Sequence, residues 1–178
     1  VKNATGDYIL FVDSDDFIEK DSLKAIVVTV VSNPVDVVFL EAQKYFEDNS
    51  KVPLGDGITK DGVCGKNKNE VLAFVSQSPK YPGSACTKLI KRELFTDDEL
   101  LFEKGLLSED LDWCMKLFMK AKSFDYCSTM YYNYRQNRAG SITNSVSDKN
   151  IQDLLFILEK WSEYAKSQPD CEKNFILS

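Results

Sequence analysis

The run Tyr8-Ile9-Leu10-Phe11-Val12 passes directly into Asp13-Ser14-Asp15-Asp16, and this junction constrains the chain more than any other stretch. An unbroken apolar run rich in aromatic and branched side chains, entered through the turn-like Thr5-Gly6-Asp7, reads as a buried strand of the kind found in parallel sheets. In open α/β sheets ligands bind beyond the carboxyl ends of the strands, which is where the acidic residues fall. Carboxylates packed this closely repel one another, and a divalent cation with a preference for oxygen, Mg²⁺ or Mn²⁺, relieves the repulsion by sharing them. Such a cation can in turn hold a diphosphate. The same acids also suit a solvated turn in which Asp16 or Asp21 caps the next helix. A calcium loop of the EF-hand kind is excluded, because Ile18 stands where that loop needs its glycine.

Downstream, Asp21 or Ser22 is placed to cap a helix running to about Val31, which Asn33-Pro34 ends before a second strand-like run, Val35 to Leu40. Strand, helix, strand is the repeating unit of an α/β sheet. Residues 47–68 are polar and glycine-rich and read as a loop or short hairpin. A helix over residues 69–76 follows, then a strand-like segment ending at Ile90 and a helical turn over residues 91–95. Ser108 suits an N-cap, and Leu111, Cys114, Met115 and Phe118 make the apolar stripe of an amphipathic helix. Phe124, Tyr126, Met130, Tyr132 and Tyr134 alternate with polar residues as in a half-buried strand. A last helix over residues 148–166 has Ile151, Leu154, Leu155, Leu158, Trp161 and Ala165 as its expected core face.

That capped helix opens on a second acidic cluster, Ser108-Glu109-Asp110-Leu111-Asp112. Acids in a first turn are favoured by the helix dipole with or without a function. Tyr131, Tyr132, Tyr134 and Trp113 suit either a core or a platform for a sugar ring.

Composition bounds the chemistry. At 178 residues, 43% apolar and 28% charged, the chain is long enough for one domain with a sizeable core, and a single domain over residues 1–178 is expected. A net charge of -6, from 22 basic against 28 acidic residues, argues against a nucleic-acid partner. The 5 cysteines show no Cys-x-x-Cys spacing and there is no histidine, so free thiols in a reducing cytoplasm are expected rather than a zinc site. The apolar stretch Ala25 to Val31 is too short to span a membrane, and the first residues lack the order of a signal peptide.

The segment from Ala4 to Asp16 resembles the part of family 2 glycosyltransferases that ends in their Asp-x-Asp metal motif. The likeness continues through Lys88-Leu89-Ile90-Lys91-Arg92-Glu93-Leu94-Phe95, the Glu109-Asp110 pair, and Tyr134-Arg135-Gln136-Asn137 to Gly140-Ser141-Ile142-Thr143. It spans residues 1–145 in the family's order, leaving 148–178 as a C-terminal helix and tail. The resemblance implies an α/β GT-A fold, Rossmann-like, with a mostly parallel sheet and flanking helices. It further implies an inverting transfer from a nucleotide-sugar, by preference a UDP-sugar, to a glycan or lipid-linked acceptor in surface-polysaccharide synthesis. By the same resemblance Asp13 contacts the nucleotide and shares the metal, Asp15 binds the Mn²⁺ or Mg²⁺, and Asp16 is a second nucleotide contact. Asp110 is the implied catalytic base, and Arg135 or Arg138 the cation facing the departing diphosphate. The helix start is expected to keep Asp110 ionised. A cytoplasmic location follows from the family, with peripheral contact to the inner face of the membrane.

Against that family the chain looks truncated at its N-terminus, since the strands and helices that build a nucleoside pocket precede this motif in a complete GT-A domain. A strand expected at the centre of the sheet would then show an open edge, so self-association and negligible transfer by the isolated chain are expected. A rival reading takes Asp13 and Asp15 as nucleophile and acid of a haloacid-dehalogenase-like phosphatase. That class needs later paired acids at a strand end, whereas Glu109-Asp110 opens a helix. A non-catalytic acidic metal-binding module is the third reading.

Overall fold

The computed structural model describes residues 1–96, 98–136 and 147–178. Its centre is β3 (Val37–Tyr45), whose branched and aromatic run is buried on both faces. Val37 and Phe39 face one hydrophobic cluster, while Val38, Leu40 and Ala42 face a second. The first cluster takes side chains from α3 (Lys68–Ser76), α4 (Glu109–Lys120) and α6 (Asp170–Ile176), the second from α1 (Ser22–Ser32). Helices thus lie on both faces of the sheet, the expected α/β class.

Among the described residues the strand order is β1 (Tyr8–Leu10), β5 (Lys88–Lys91), β3, β6 (Phe124–Arg135), β2 (Phe17–Ile18), with β4 (Lys51–Pro53) also paired to β3. The expected mostly parallel sheet is corrected here: only β3 and β6 pair in parallel, and the other pairings are antiparallel. The cause is β5, which enters between β1 and β3 and runs against both. The apolar run at the start of the chain is therefore an edge strand among the described residues, and it ends at Leu10. Phe11 leaves the sheet to pack edge-on against Phe102 and Trp113 at 5.4 and 5.5 Å.

Residues 47–68 resolve into the β3–β4 hairpin and the single helical turn α2 (Lys60–Val63). α3 is fixed at its start by a capping box, the Asn67 side chain accepting the Glu70 N–H at 3.1 Å while Glu70 accepts the Asn67 N–H at 2.9 Å. Asp21 and Ser108 stand at the expected starts of α1 and α4 but cap neither through the side chain. Both adopt left-handed backbone, with φ of 63° and 64°.

Two periodic readings change. β6 carries extra residues opposite Glu41, because Leu40 pairs with Cys127 but Ala42 with Tyr132. The irregularity reverses the strand's parity: Phe124 and Tyr126 pack with the first cluster, whereas Tyr132 and Tyr134 pack with the second. On α5 (Asp148–Ala165) the expected core face is largely exposed, with Leu158 at 63% and Leu155 at 54%. Trp161 and Ala165 of that face are buried as expected, and Asp153 and Ile157 join them in place of Ile151 and the leucines. The polar partners decide this, since Asp153 accepts the Leu107 N–H at 2.7 Å and Trp161 donates to Asp112 at 2.9 Å. Trp113 is core: it is fully buried, stacks on Phe102 at 5.0 Å and donates to the Leu100 carbonyl at 3.3 Å.

Candidate active site

The acidic loop lies just beyond β1 and is clamped by the end of β6. A turn closes it, the Asp16 N–H donating to the Asp13 carbonyl at 3.1 Å. Both Asp16 oxygens are engaged, Oδ2 by the Tyr132 hydroxyl at 2.6 Å and Oδ1 by the Arg135 backbone N–H at 2.9 Å. The same hydroxyl accepts the Asp13 N–H at 3.3 Å, so one buried phenol ties both ends of the turn. Burial and the Asp16 carboxylate push that phenol well above its ordinary range, so it remains a donor. Beneath the loop, Gln43 donates to both Glu19 and Asn133 at 2.9 Å, securing β2 against β3 and β6.

One oxygen from each of Asp13, Asp15 and Asp16 lies within 4.8 Å of the others. The set is all oxygen and partly exposed, leaving room for water or phosphate oxygens, as Mg²⁺ and Mn²⁺ require. Each carboxylate oxygen has a second lone pair, so the hydrogen bonds to Asp16 do not disqualify it as a ligand. The residues fit such an ion.

Asp110 enters from the first turn of α4. Its Oδ2 accepts the Ala85 N–H at 3.2 Å, where the chain leaves the loop Pro82-Gly83-Ser84 for a helical turn, Ala85–Thr87. The helix dipole favours the ionised form of Asp110, and its surroundings act on the pKa in both directions. Burial raises it; the Ala85 hydrogen bond opposes burial, the Glu109 charge adds to it, Lys88 opposes it, and the Asp13 charge adds to it. Asp13 and Asp110, far apart in sequence, thus feel one another's field. Cys86 lies beside them, but burial lifts its thiol to about 12, which makes it an inert neighbour.

Arg135 is held at the loop by its own backbone, with its guanidinium 5.0 Å from the Phe17 ring centroid. Arg138 and the segment Gly140 to Thr143 lie outside the described residues. An open cavity of about 210 Å³ lies against Pro82-Gly83-Ser84, with Lys44, Asp56 and Lys80 also on its walls. Sequence reasoning weighed Tyr132 as core or sugar platform but not as the clamp of the acidic loop, and gave Lys88 and Ala85 no part in the site. An aromatic residue in a period-two strand reads as core, which Tyr132 also is, and a backbone N–H leaves no signature in side-chain identity.

A partly exposed acidic loop beyond a strand end, opposed by one desolvated carboxylate at a helix start, is the arrangement of a group-transfer site. The chain belongs to the Glycosyl transferase family 2, whose profile matches residues 1–97. It is 26% identical over 163 residues to the poly(ribitol-phosphate) beta-N-acetylglucosaminyltransferase TarS of Staphylococcus aureus, covering 89% of this chain and 26% of that protein. It is 28% identical over 159 residues to the glycosyltransferase GlyA of Streptococcus pneumoniae, covering 87% of this chain and 22% of GlyA. The crystal structure of S. aureus TarS 1-349 in complex with UDP-GlcNAc superposes with a TM-score of 0.69 at 20% identity, over 99% of this chain and 48% of that one. This likeness shows the fold. The chain spans less than half the length of each of these relatives.

Proposed function

We propose that the protein moves a sugar from a UDP-activated donor to a hydroxyl of a glycan or lipid-linked acceptor in surface-polysaccharide assembly, inverting the anomeric carbon. The observation that carries the reading is the all-oxygen cluster of Asp13, Asp15 and Asp16 just beyond β1, together with the Asp110 carboxylate at the start of α4, whose Oδ2 is held by the Ala85 N–H. Membership of the family supports it, as do the UDP-GlcNAc and UDP complexes of the TarS structure.

In this reading Asp13 and Asp15 hold Mn²⁺ or Mg²⁺, and Asp13 and Asp16 face the nucleotide. When bound, the ion neutralises charge gathering on the diphosphate. Asp110 accepts the proton of the acceptor hydroxyl through Oδ1, while Oδ2 stays on the Ala85 N–H. The acceptor oxygen then forms its bond to the anomeric carbon as the bond to the diphosphate breaks, and the leaving group takes the electron pair. Arg135 or Arg138 would supply the positive charge that neutralises the departing anion.

The test is UDP release from UDP-N-acetylglucosamine, UDP-glucose and UDP-galactose with Mn²⁺, comparing wild type with Asp110→Asn. Loss of at least 100-fold in the variant is expected on the scale of general-base catalysis, and equal turnover would sink the reading. Titrating Mn²⁺ with and without UDP separates a transferase from a metal-binding module, because only the former couples the two ligands. The phosphatase reading is not favoured, since Asp110 opens a helix.

Two further proposals concern partners. β1 pairs only with β5 among the described residues, and Val27, Val28 and Val31 of the neighbouring α1 are exposed. We expect the chain on its own to associate with a second copy across this edge. No helix among the described residues is long and apolar enough to cross a membrane. The exposed leucines of α5 support a peripheral position at the cytoplasmic face of the membrane.

A further inference from the structure

Lys88 is fully buried at the start of β5. Among the described residues no carboxylate lies within ion-pairing distance of its ammonium. Its charge is solvated instead by two carbonyls, Pro82 and Ser84, each at 2.6 Å, with Thr87 Oγ1 at 3.5 Å and the Phe39 ring centroid at 5.8 Å. Burying an ammonium without a counter-charge is costly, and a neutral side chain would fill the same core position without that cost. What the charge achieves is local: it draws two carbonyls of one short loop onto a single point.

That loop is the one that faces Asp110. Ala85, the next residue, donates its N–H to Asp110 Oδ2 at 3.2 Å. Gly83 accepts from the Cys114 thiol at 3.1 Å, one turn beyond Asp110 on α4. The loop also touches α4 so closely that a Cβ on Gly83 would come within 2.6 Å of Leu111 Cδ2. Lys88, the loop and the first turn of α4 are therefore one connected unit.

We propose that Lys88 is a positioning residue for Asp110: its ammonium fixes the Pro82-Gly83-Ser84 loop so that the Ala85 N–H holds one carboxylate oxygen and leaves the other for the acceptor hydroxyl. The inference rests on the reading of Asp110 as the base. It also gives the lysine an electrostatic part, because a positive charge beneath the base favours its ionised form against the burial that opposes it. The charges and titratable groups facing Asp110 are Glu109 on its own helix, Asp13 from the acidic loop, Lys88 from β5, and the thiols Cys86 and Cys114. Both thiols titrate near 11 to 12 and stay neutral through the working range.

The experiment uses Lys88→Met in the natural protein that carries this chain, read in two ways. Hydrogen exchange of the Ala85 amide is expected to speed up at least 10-fold, while the amides of Val38 and Leu117 keep their protection. For UDP release from the UDP-sugar that wild type turns over fastest, kcat is expected to fall about 10- to 100-fold with donor KM within about 2-fold, the pattern of a misplaced group. The acid limb of the kcat profile should move to higher pH, which a merely structural loss would not cause. Unchanged Ala85 exchange, or a kcat within about 2-fold of wild type, overturns the proposal. Should the Met variant fail to fold, Gly83→Ala displaces the same loop without touching the ammonium, and it must show the same loss of Ala85 protection and of kcat, or the proposal falls. Failure of the base reading is separate: Asp110→Asn would then keep its turnover while Lys88→Met still freed the Ala85 amide.

Discussion

The Tyr132 hydroxyl stands 2.6 Å from Asp16 Oδ2 and donates to it, although 116 positions separate the two residues in sequence. The acidic loop owes its shape to β6 as much as to its own turn. Tyr132→Phe removes this donor and the acceptor of the Asp13 N–H together. A fall of about 10-fold in Mn²⁺ affinity is expected, typical of losing a group that orients a metal ligand, with about 1 kcal/mol of stability. Titration calorimetry and thermal denaturation measure both, and unchanged Mn²⁺ binding would show that the loop holds itself.

Asp110→Asn should inactivate the protein and yet stabilise it. The Asp110 pKa is raised in the folded state, chiefly by burial. Below the ordinary carboxylate pKa both folded and unfolded chains are protonated and no penalty exists. As pH rises from that value through the raised folded pKa, the penalty develops, and it is complete above it. The Asn variant should therefore melt higher than wild type at pH 7 and with little difference at pH 3. Equal melting temperatures at pH 7 would contradict the burial argument.

Asp112, two residues further on, should behave in the opposite way. It is fully buried, with Lys160 at 2.7 Å and Trp161 at 2.9 Å from Oδ1, and Lys116 at 2.8 Å from Oδ2. Burial raises its pKa, but the Lys116 ion pair and the hydrogen bonds from Lys160 and Trp161 together outweigh burial and hold it below the ordinary value. Its contribution is present above the unfolded pKa and is lost as pH falls through the folded one. Asp112→Ala should cost about 3 kcal/mol at pH 7, the scale of breaking a buried pair, and should flatten the acid dependence of urea unfolding. A loss under 1 kcal/mol would mean that α4 and α5 hold together by apolar contact alone.

A positive charge on the open face of α1 should keep copies apart. Val27→Lys with Val31→Lys places two ammonium groups where exposed valines stand beside β1. Sedimentation velocity of the isolated chain is expected to shift from dimer to monomer, without loss of helical circular dichroism. A wild-type chain that sediments as a monomer would remove the basis for this proposal.

The pair Asp110 and Asp112 shows what sequence can and cannot reveal. Both were legible as acids in the first turn of a helix, which is where α4 places them. Residues two apart lie about 200° apart around a helix, so one must face away from the other. Which of them accepts the Ala85 N–H and which meets Lys160 depends on where that loop and α5 dock, and that is a long-range fact. α5 itself makes the same point, because its sequence offers two apolar stripes and the partners of Asp153 and Trp161 choose between them. β1 was legible as a strand from its composition. Its place at an edge was not, being set by β5, some 80 residues away. The candidate site is read from its carboxylates, whereas the groups that hold them, Tyr132, Lys88 and a backbone N–H of Ala85, carry no mark of that part.

The irregular stretch of β6 opposite Glu41 has a consequence for how this strand can change. Before it, the strand serves the packing beneath α3 and α4; after it, the same strand delivers Tyr132 and Arg135 to the acidic loop. Removing a single residue at Ser128 or Thr129 would turn the second half over, aiming Asn133 where Tyr132 now points. Side chains there can vary with little effect on the site, since Ser128 is exposed; it is the count of residues that the loop depends on.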